Sequence, residues 1–483
     1  MPSGRPPRLE VAADPAGEDS GSTASEELEV SALPIGEVAA GHEALRAPRG
    51  IRELGMRRWL GQVPPSTLYY LSFLAAPCLG LIQTRLLTFL LSSAEYGVVQ
   101  LALPILSWTG TIAGLGLPAF LLRFYPRDGA VVFKESVTLT VLVVVPAALL
   151  GAWALSATTG GAVRVDPATV VAFTLALTAL LAFLLTKAML RALERHLAYN
   201  LMFTLDRVLG LVFITGGVAL ARSHPVEGYL AGTFLVYGGA MALLVGLGRT
   251  KLPVGWQLPP PARVRELLLY GLPTVAVILV ADLYANASRY LIVNAGFGTA
   301  AVAEFALSYT LTNLAFQSLY EPLLTYMYPQ VFKAYEEGRF DEVAQRVNRF
   351  LRYYLLAGLV LAGGFMVGGE LAVRLVAGQA YWMGASPFLL LVAASYLFGM
   401  YRILATHYYM RRNTVELAAC FGAGLVVSLG CGAVLLLHHG LIGVSQGVLA
   451  GAAFLTLVTW WRGRPILGLN PLRAARARRR GAG

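Results

Sequence analysis

The chain has 483 residues, of which 57% are hydrophobic and 13% are charged, and its formal net charge is +11. An ordinary soluble domain carries about 25% charged residues, so this composition excludes a typical cytosolic enzyme and a disordered scaffold. The three cysteines stand in apolar runs, which does not indicate a disulfide-stapled secreted domain.

The charge is divided unevenly along the chain. The segment before Val63 has a net charge of −3, and the rest of the chain has +14. Residues 1–60 are rich in Gly, Pro, Ser and Glu, and we predict a disordered cytoplasmic tail because this composition buries too little apolar surface to fold. No apolar stretch follows Met1, so a cleaved signal peptide is not expected. The arginines of Arg46–Arg58 are typical of a cytoplasmic membrane anchor.

Twelve apolar runs follow this tail, each close to the 20 or so residues that a helix needs to cross a bilayer. They are too long and too continuously apolar to be strands of a barrel. The sequence therefore predicts an all-α integral membrane protein with about twelve transmembrane helices. The runs are Ser66–Leu91, Val98–Leu122, Val137–Ala157, Ala168–Leu190, Leu201–Ala221, Tyr229–Leu247, Leu267–Val293, Ala301–Tyr326, Leu351–Gly368, Pro387–Tyr408, Val415–Leu437 and Leu441–Trp461.

The loops between the runs predict the orientation. With the amino terminus inside, the inner loops hold sixteen Lys and Arg residues and the outer loops hold only Arg164, Arg222 and Arg374. Because positive loops stay in the cytoplasm, both termini are predicted to lie there. The protein itself is predicted to lie in the cytoplasmic membrane. The longest outer loop, near Gly369–Ala385, leaves no room for a catalytic domain. The basic run Arg476–Arg480 beside a membrane favours anionic lipid as its partner, and no nucleic acid is expected.

Two halves of the chain echo each other. Arg85 precedes Tyr125-Pro126 much as Arg289 precedes Tyr328-Pro329, with separations of 41 and 40 residues to the prolines. Six runs per half give both halves the same orientation, an arrangement used by alternating-access transporters. We predict two six-helix bundles. Their predicted bounds are 61–247 and 263–462, with a proline-rich cytoplasmic linker at 248–262 and a basic cytoplasmic tail at 463–483.

Charged residues inside apolar runs are candidate functional residues, because a charge at mid-bilayer is costly and usually faces a polar interior. Arg85, Arg289 and Arg123 are candidate ligands for an anionic headgroup, since guanidinium groups match phosphate oxygens. Snorkelling to the interface or pairing with acids such as Asp282 is the alternative. Asp282 lies seven residues before Arg289, and both can point into one cavity.

Other charges and motifs have structural interpretations. Lys187 is expected to snorkel, and Arg207, beside Asp206, is expected to be structural. The ridge Gly443, Gly447 and Gly451 predicts close helix packing. No Walker-A sequence, HExxH or cluster of metal ligands appears in the sequence, so no cofactor, metal or catalytic residue is expected.

The motifs resemble those of the polysaccharide and oligosaccharide flippases. Arg85 followed by Glu95-Tyr96-Gly97 resembles the signature that closes their first helix, and Gly114–Pro118 through Arg123-Phe124-Tyr125 resembles their second helix. Gly271-Leu272-Pro273 before Arg289 is similar to the start of their second half. The resemblance implies the multidrug/oligosaccharidyl-lipid/polysaccharide exporter (MOP) superfamily, with two bundles in a V around a cavity.

The resemblance further implies the movement of a polyprenyl-diphosphate-linked glycan between leaflets, without enzymatic chemistry, beside the glycosyltransferases and polymerase of the same pathway. Two alternatives stay open. One is a cation-coupled multidrug antiporter of the same superfamily, in which Asp282 is essential. The other is a membrane enzyme that assembles glycans.

Overall fold

Helices are the only regular elements in the part of the chain that the computed structural model describes, which is residues 65–464 apart from 160, 162, 164, 249–251, 254 and 412. The predicted tail 1–60 lies outside these residues, and so does the predicted basic tail beyond Arg464. The all-α prediction is confirmed for the described chain.

The described residues of the first half form six crossings. Two of them are interrupted: α2 and α3 are separated by a turn at Gly114–Gly116, and α6 and α7 by a π-helical segment at Gly210–Ile214. The helices are α1 Pro65–Leu90, α2 Ser93–Ala113, α3 Leu117–Asp128, α4 Ala130–Thr158, α5 Pro167–Ala192, α6 His196–Leu209, α7 Thr215–Leu220 and α8 Pro225–Gly246.

The described residues of the second half also form six crossings, and its first three helices are the longest, with 34, 39 and 37 residues. A 3₁₀ turn at Gln379–Tyr381 lies between its third and fourth crossings, and α12 and α13 together form the fourth. The helices are α9 Pro261–Asn294, α10 Gly298–Glu336, α11 Phe340–Val376, α12 Ala385–Leu404, α13 Thr406–Met410, α14 Thr414–His439 and α15 Leu441–Gly463.

Ten of the described helical segments are long and apolar enough to cross a membrane by length and composition. The other two crossings are α1, whose apolar part is Pro77–Leu90, and α10. The 39-residue α10 carries Glu304, Glu321 and Lys333, which lower its hydropathy. Many of its side chains are nevertheless buried against other helices. A helix surrounded by protein tolerates polar residues that lipid would exclude.

The start of α2 explains part of the Glu-Tyr-Gly motif. Ser92 and Glu95 form a capping box, in which the Ser92 hydroxyl accepts from the Glu95 N–H and the Glu95 carboxylate accepts from the Ser92 N–H. Such a box satisfies N–H groups that have no partner within the helix. It fixes the point at which the chain turns back into the membrane.

Three glycines of the same motifs lie where the two halves meet. A Cβ on Gly97 would stand 1.8 Å from the Thr299 carbonyl oxygen of α10. A Cβ on Gly116, which also has a φ of +74°, would stand 2.3 Å from the Cα of Gly271 on α9. Only glycine permits these backbones to approach so closely. The crossing formed by α2 and α3 is therefore the seam of the first half against the second.

The small-residue ridge on α15 packs as predicted. A Cβ on Gly443, Gly447 or Gly451 would lie 2.6 Å or less from atoms of α14, among them the Cα of Gly432 and the Cβ of Ser428. The predicted close packing of these two helices is confirmed.

Candidate functional site

A cavity of about 480 Å³ lies between the two halves. It is lined by α1, α2, α6 and α8 of the first half and by α9, α10 and α11 of the second. Its walls combine apolar side chains with amides, hydroxyls and three charged groups. The polar and charged lining residues are Gln83, Thr84, Tyr96, Gln100, Ser107, Arg207, Tyr229, Asp282, Asn286, Arg289, Thr310, Gln317 and Ser318.

Arg289 lies on the wall formed by the second half, where only 6% of the residue is exposed. Its Nη1 donates to the backbone carbonyl oxygen of Gln100 at 3.1 Å and to the Oε1 atom of the same residue at 3.0 Å. Its buried Nε has no hydrogen-bond partner among the described residues. Next to it, the Tyr290 hydroxyl donates to the Leu101 carbonyl at 2.6 Å. Arg289 therefore joins α9 to α2 as well as facing the cavity.

Asp282 lies two helical turns from Arg289 on the same wall. Its Oδ2 accepts a hydrogen bond of 2.5 Å from the Ser107 hydroxyl of α2. Asn286 donates to the Asp282 backbone carbonyl at 3.0 Å. The structure therefore brings Asp282 and Arg289 into one cavity, and each has a partner on α2.

The other two candidate arginines lie elsewhere. Arg85 is exposed near the end of α1 and does not line the cavity. Arg123 on α3 is also exposed, and its guanidinium lies 5.5 Å from the centre of the Phe124 ring and 5.0 Å from that of Tyr270. Of the three arginines predicted to surround one headgroup, the structure brings Arg289 to this cavity, whereas Arg85 and Arg123 are not among its lining residues.

Arg207 also lines the cavity, although the sequence predicts a structural role for it beside Asp206. It lies on α6 and is the charged lining residue that the described part of the first half contributes. Its side chain is 45% exposed, and its Nε lies 3.9 Å from Oδ2 of Asp206. Its place inside an apolar run was a usable signal, but the adjacent acid made a local ion pair the simpler interpretation.

The cavity can therefore bind a ligand with both anionic and hydroxyl groups. Arg207 and Arg289 supply cationic donors from opposite halves, and the amides and hydroxyls supply neutral donors and acceptors. Its volume falls in the range of small-molecule sites, about 300–1,000 Å³.

Comparison with protein families gives one match. The family model described as polysaccharide biosynthesis protein matches residues 66–334, more than half of the chain. No curated protein sequence matches the chain significantly.

Solved structures with the same fold include two states of a multidrug resistance MATE family transporter of the MOP superfamily. The inward-facing structure has a TM-score of 0.64 at 16% sequence identity, and the match covers 83% of this chain and 98% of the transporter chain. The outward-facing one has a TM-score of 0.54 at 15% identity and covers 83% and 93%. The lipid II flippase MurJ, in an inward closed conformation, has a TM-score of 0.63 at 12% identity and covers 82% and 87%.

Proposed function

Because the chain belongs to the polysaccharide biosynthesis protein family and has the two-bundle fold of the MOP superfamily, we propose that it moves a polyprenyl-diphosphate-linked glycan across the cytoplasmic membrane. The movement proceeds by alternating access, with both termini in the cytoplasm. The glycosyltransferases and polymerase of the same pathway act before and after it.

The cavity between the halves is the observation that supports this proposal. It holds two arginines of opposite halves, and guanidinium groups bind phosphate oxygens through paired hydrogen bonds. Amides and hydroxyls such as Gln83, Gln317 and Ser318 match the hydroxyls of sugars, which both donate and accept. Catalysis is not required for the step, since the substrate changes leaflet without a change of covalent bonds.

The seam between the halves supports alternating access. The α2–α3 crossing contacts α9 and α10 through closely packed glycines and through hydrogen bonds such as those that Arg289 and Tyr290 donate. Two rigid bundles joined in this way can rock about the seam and expose the cavity to either side. The inward- and outward-facing structures of the matching MATE transporter are two states of the same fold.

Asp282 favours a second candidate, a cation-coupled multidrug antiporter. Its carboxylate lines the cavity and accepts a hydrogen bond from Ser107. A carboxylate at mid-membrane is suited to bind a proton or a cation. This candidate requires export of drugs driven by Na⁺ or H⁺.

The two candidates are separated by reconstituting the full chain into vesicles that hold a polyprenyl-diphosphate oligosaccharide with a fluorescent sugar. A membrane-impermeant reductant that irreversibly bleaches the fluorophore reports the fraction of label that reaches the outer leaflet. We expect the bleached fraction to rise above the fraction of about half that is bleached in protein-free vesicles, because the protein carries inner-leaflet lipid outward as the outer label is removed. Absence of transfer for several different glycans would contradict the proposal.

Drug uptake in the same vesicles under a Na⁺ or H⁺ gradient tests the antiporter, and loss of uptake in Asp282→Asn would favour it. Formation of a new covalent glycan product, followed by mass spectrometry, would instead indicate an enzyme.

A further inference from the structure

The two cavity arginines differ in how much of each is accessible. Arg289 is almost fully buried, and its Nη1 is already occupied by Gln100. Arg207 is far more exposed and lines the same cavity. A ligand that enters the cavity in this state therefore meets the guanidinium of Arg207 before that of Arg289.

The donors of Arg207 are available. Its Nε faces Asp206 at 3.9 Å, which is longer than a hydrogen bond, and its guanidinium lies 5.9 Å from the centre of the Phe203 ring. Among the described residues, no hydrogen bond is formed by its terminal nitrogens. A guanidinium has five N–H donors in a planar fork, so two terminal N–H groups can bind one phosphate.

A second cation stands behind the same ring. The Nζ atom of Lys187 on α5 lies 5.5 Å from the centre of the Phe203 ring and 5.6 Å from those of Phe183 and Tyr199. Three ring faces around one ammonium group form an aromatic cage, which stabilises the cation. Lys187 is thus held beside the cavity wall by aromatic rings.

Charge and backbone geometry both single out this wall. The formal charges of Lys187, Arg207 and Asp206 add up to +1. The π-helical segment Gly210–Ile214 begins three residues after Arg207. Such segments are rare and are found frequently at functional sites. Gly210, the first residue of the segment, stands next to Gln83 of the cavity, since a Cβ added to it would lie 3.7 Å from the Gln83 Oε1.

We propose that Arg207, supported by Phe203 and Lys187, is the group of the cavity that binds the phosphates of the substrate, and that Arg289 mainly holds α9 against α2. This inference rests on the proposed function for the identity of the lipid. The shared chemistry is a diphosphate, carried either by a polyprenyl lipid or as free pyrophosphate.

The test measures binding to the purified full-length protein in nanodiscs. The probes are a polyprenyl diphosphate without sugars and inorganic pyrophosphate, each followed by the change in tryptophan fluorescence or by native mass spectrometry. We expect Arg207→Gln to weaken binding of the lipid about 10-fold to 100-fold, because it removes charge-assisted hydrogen bonds. Arg207→Lys should recover part of the loss, since it keeps the charge without the fork.

Two further variants distinguish ligand binding from a structural role. Arg85→Gln is the matched control, because that arginine is exposed outside the cavity, and it should bind as the wild type does. Asp206→Asn removes a negative charge beside Arg207 and should tighten binding. If Arg207 only pairs with Asp206, Asp206→Asn and Arg207→Gln will weaken binding equally, and the proposal is overturned.

The outcomes also separate this inference from the proposed function. If the wild type transports glycolipid but Arg207→Gln binds the diphosphate normally, the inference fails and the proposed function stands. If binding depends on Arg207 but no glycan is moved, the anion site stands and the glycan proposal fails. Wild-type protein that binds neither probe contradicts the inference. Binding of pyrophosphate alone assigns the site to a free anion, which overturns its role with the lipid.

Discussion

Arg263 joins the two halves at the end of the molecule that the positive loops assign to the cytoplasm. It lies in the first turn of α9, and its guanidinium pairs with Asp128 at the end of α3, with Glu135 of α4 and with Glu266 one turn ahead. The Nε–Glu135 distance is 3.5 Å, and the exposed fractions of the two side chains are 15% and 7%. We expect this cluster to hold the halves together in the state described.

Replacing Arg263 with Ala leaves the Glu135 carboxylate buried without its cation. Removing one partner of a buried pair costs about 3–5 kcal/mol. The lower figure is appropriate, because Arg263 keeps some contact with solvent. A loss of about 3 kcal/mol changes the ratio of the closed to the open conformation by more than about 100-fold. The Arg263→Ala variant should therefore open at the end that the positive loops assign to the cytoplasm.

Spin labels at Val131→Cys on α4 and Leu269→Cys on α9 measure this opening, since both side chains are exposed. Pulsed electron paramagnetic resonance should give a longer and broader distance distribution in Arg263→Ala. Adding Glu135→Gln to that variant should recover much of the closed population, because it removes the unpaired carboxylate.

Arg374→Ala is the matched control. Its partner, Glu370, is on the same helix, and the two side chains are 45% and 47% exposed. An exposed pair of this kind contributes about 0.3–0.5 kcal/mol, so the distances should not change. Equal distances and equal thermal stability in Arg263→Ala and Arg374→Ala would refute the reasoning.

Two other predictions concern the seam and a helix start. Gly97→Val should keep the halves from closing against Thr299 and should slow transport at least about tenfold, whereas Gly364→Ala, exposed on α11 outside the cavity and with open space around its Cβ, should transport normally; equal rates in the two variants would contradict a contact of the halves at Gly97. The Thr169 backbone N–H and then its hydroxyl hold the pKa of Asp166 below its ordinary value at the start of α5. The ionised Asp166 therefore stabilises the folded protein fully above the ordinary pKa of an aspartate. This stabilisation is lost as the pH falls through the lowered pKa of Asp166 in the folded state. The melting temperature should fall more on acidification in the wild type than in Asp166→Asn, which keeps a capping side chain; identical pH profiles would rule this out.

Apolar runs predicted the twelve-helix architecture, because a bilayer requires long apolar helices, although α1 and α10 are less apolar than the other ten described segments. Hydropathy could not predict where helices continue in water. The run Ala301–Tyr326 belongs to a helix that continues to Glu336, and the run Leu351–Gly368 belongs to one that begins at Phe340. These extensions are amphipathic and pack against protein, so their apolar content gives no sign of their length.

The candidate site was only partly predictable, because position along a helix does not determine its rotation. Arg85 and Arg289 each lie five residues before the end of equivalent helices, α1 and α9. One is exposed outside the cavity, and the other is buried against Gln100. Rotation is set by the partners of each helix. Arg289 and Asp282 have theirs on α2, and no pattern within α9 identifies those partners.

The placement of the motif residues separates two tasks within the first half. Glu95 caps α2, while Gly97 and Gly116 allow the halves to touch, so the glycines of the family resemblance lie at the seam. Arg207 lies on α6, away from that seam, with its charge accessible in the cavity. With the anion site proposed at Arg207, we expect a change on α6 to alter which anion is bound without disturbing the seam. For that reason we expect α6, more than the motif-bearing α2, to determine the choice of substrate.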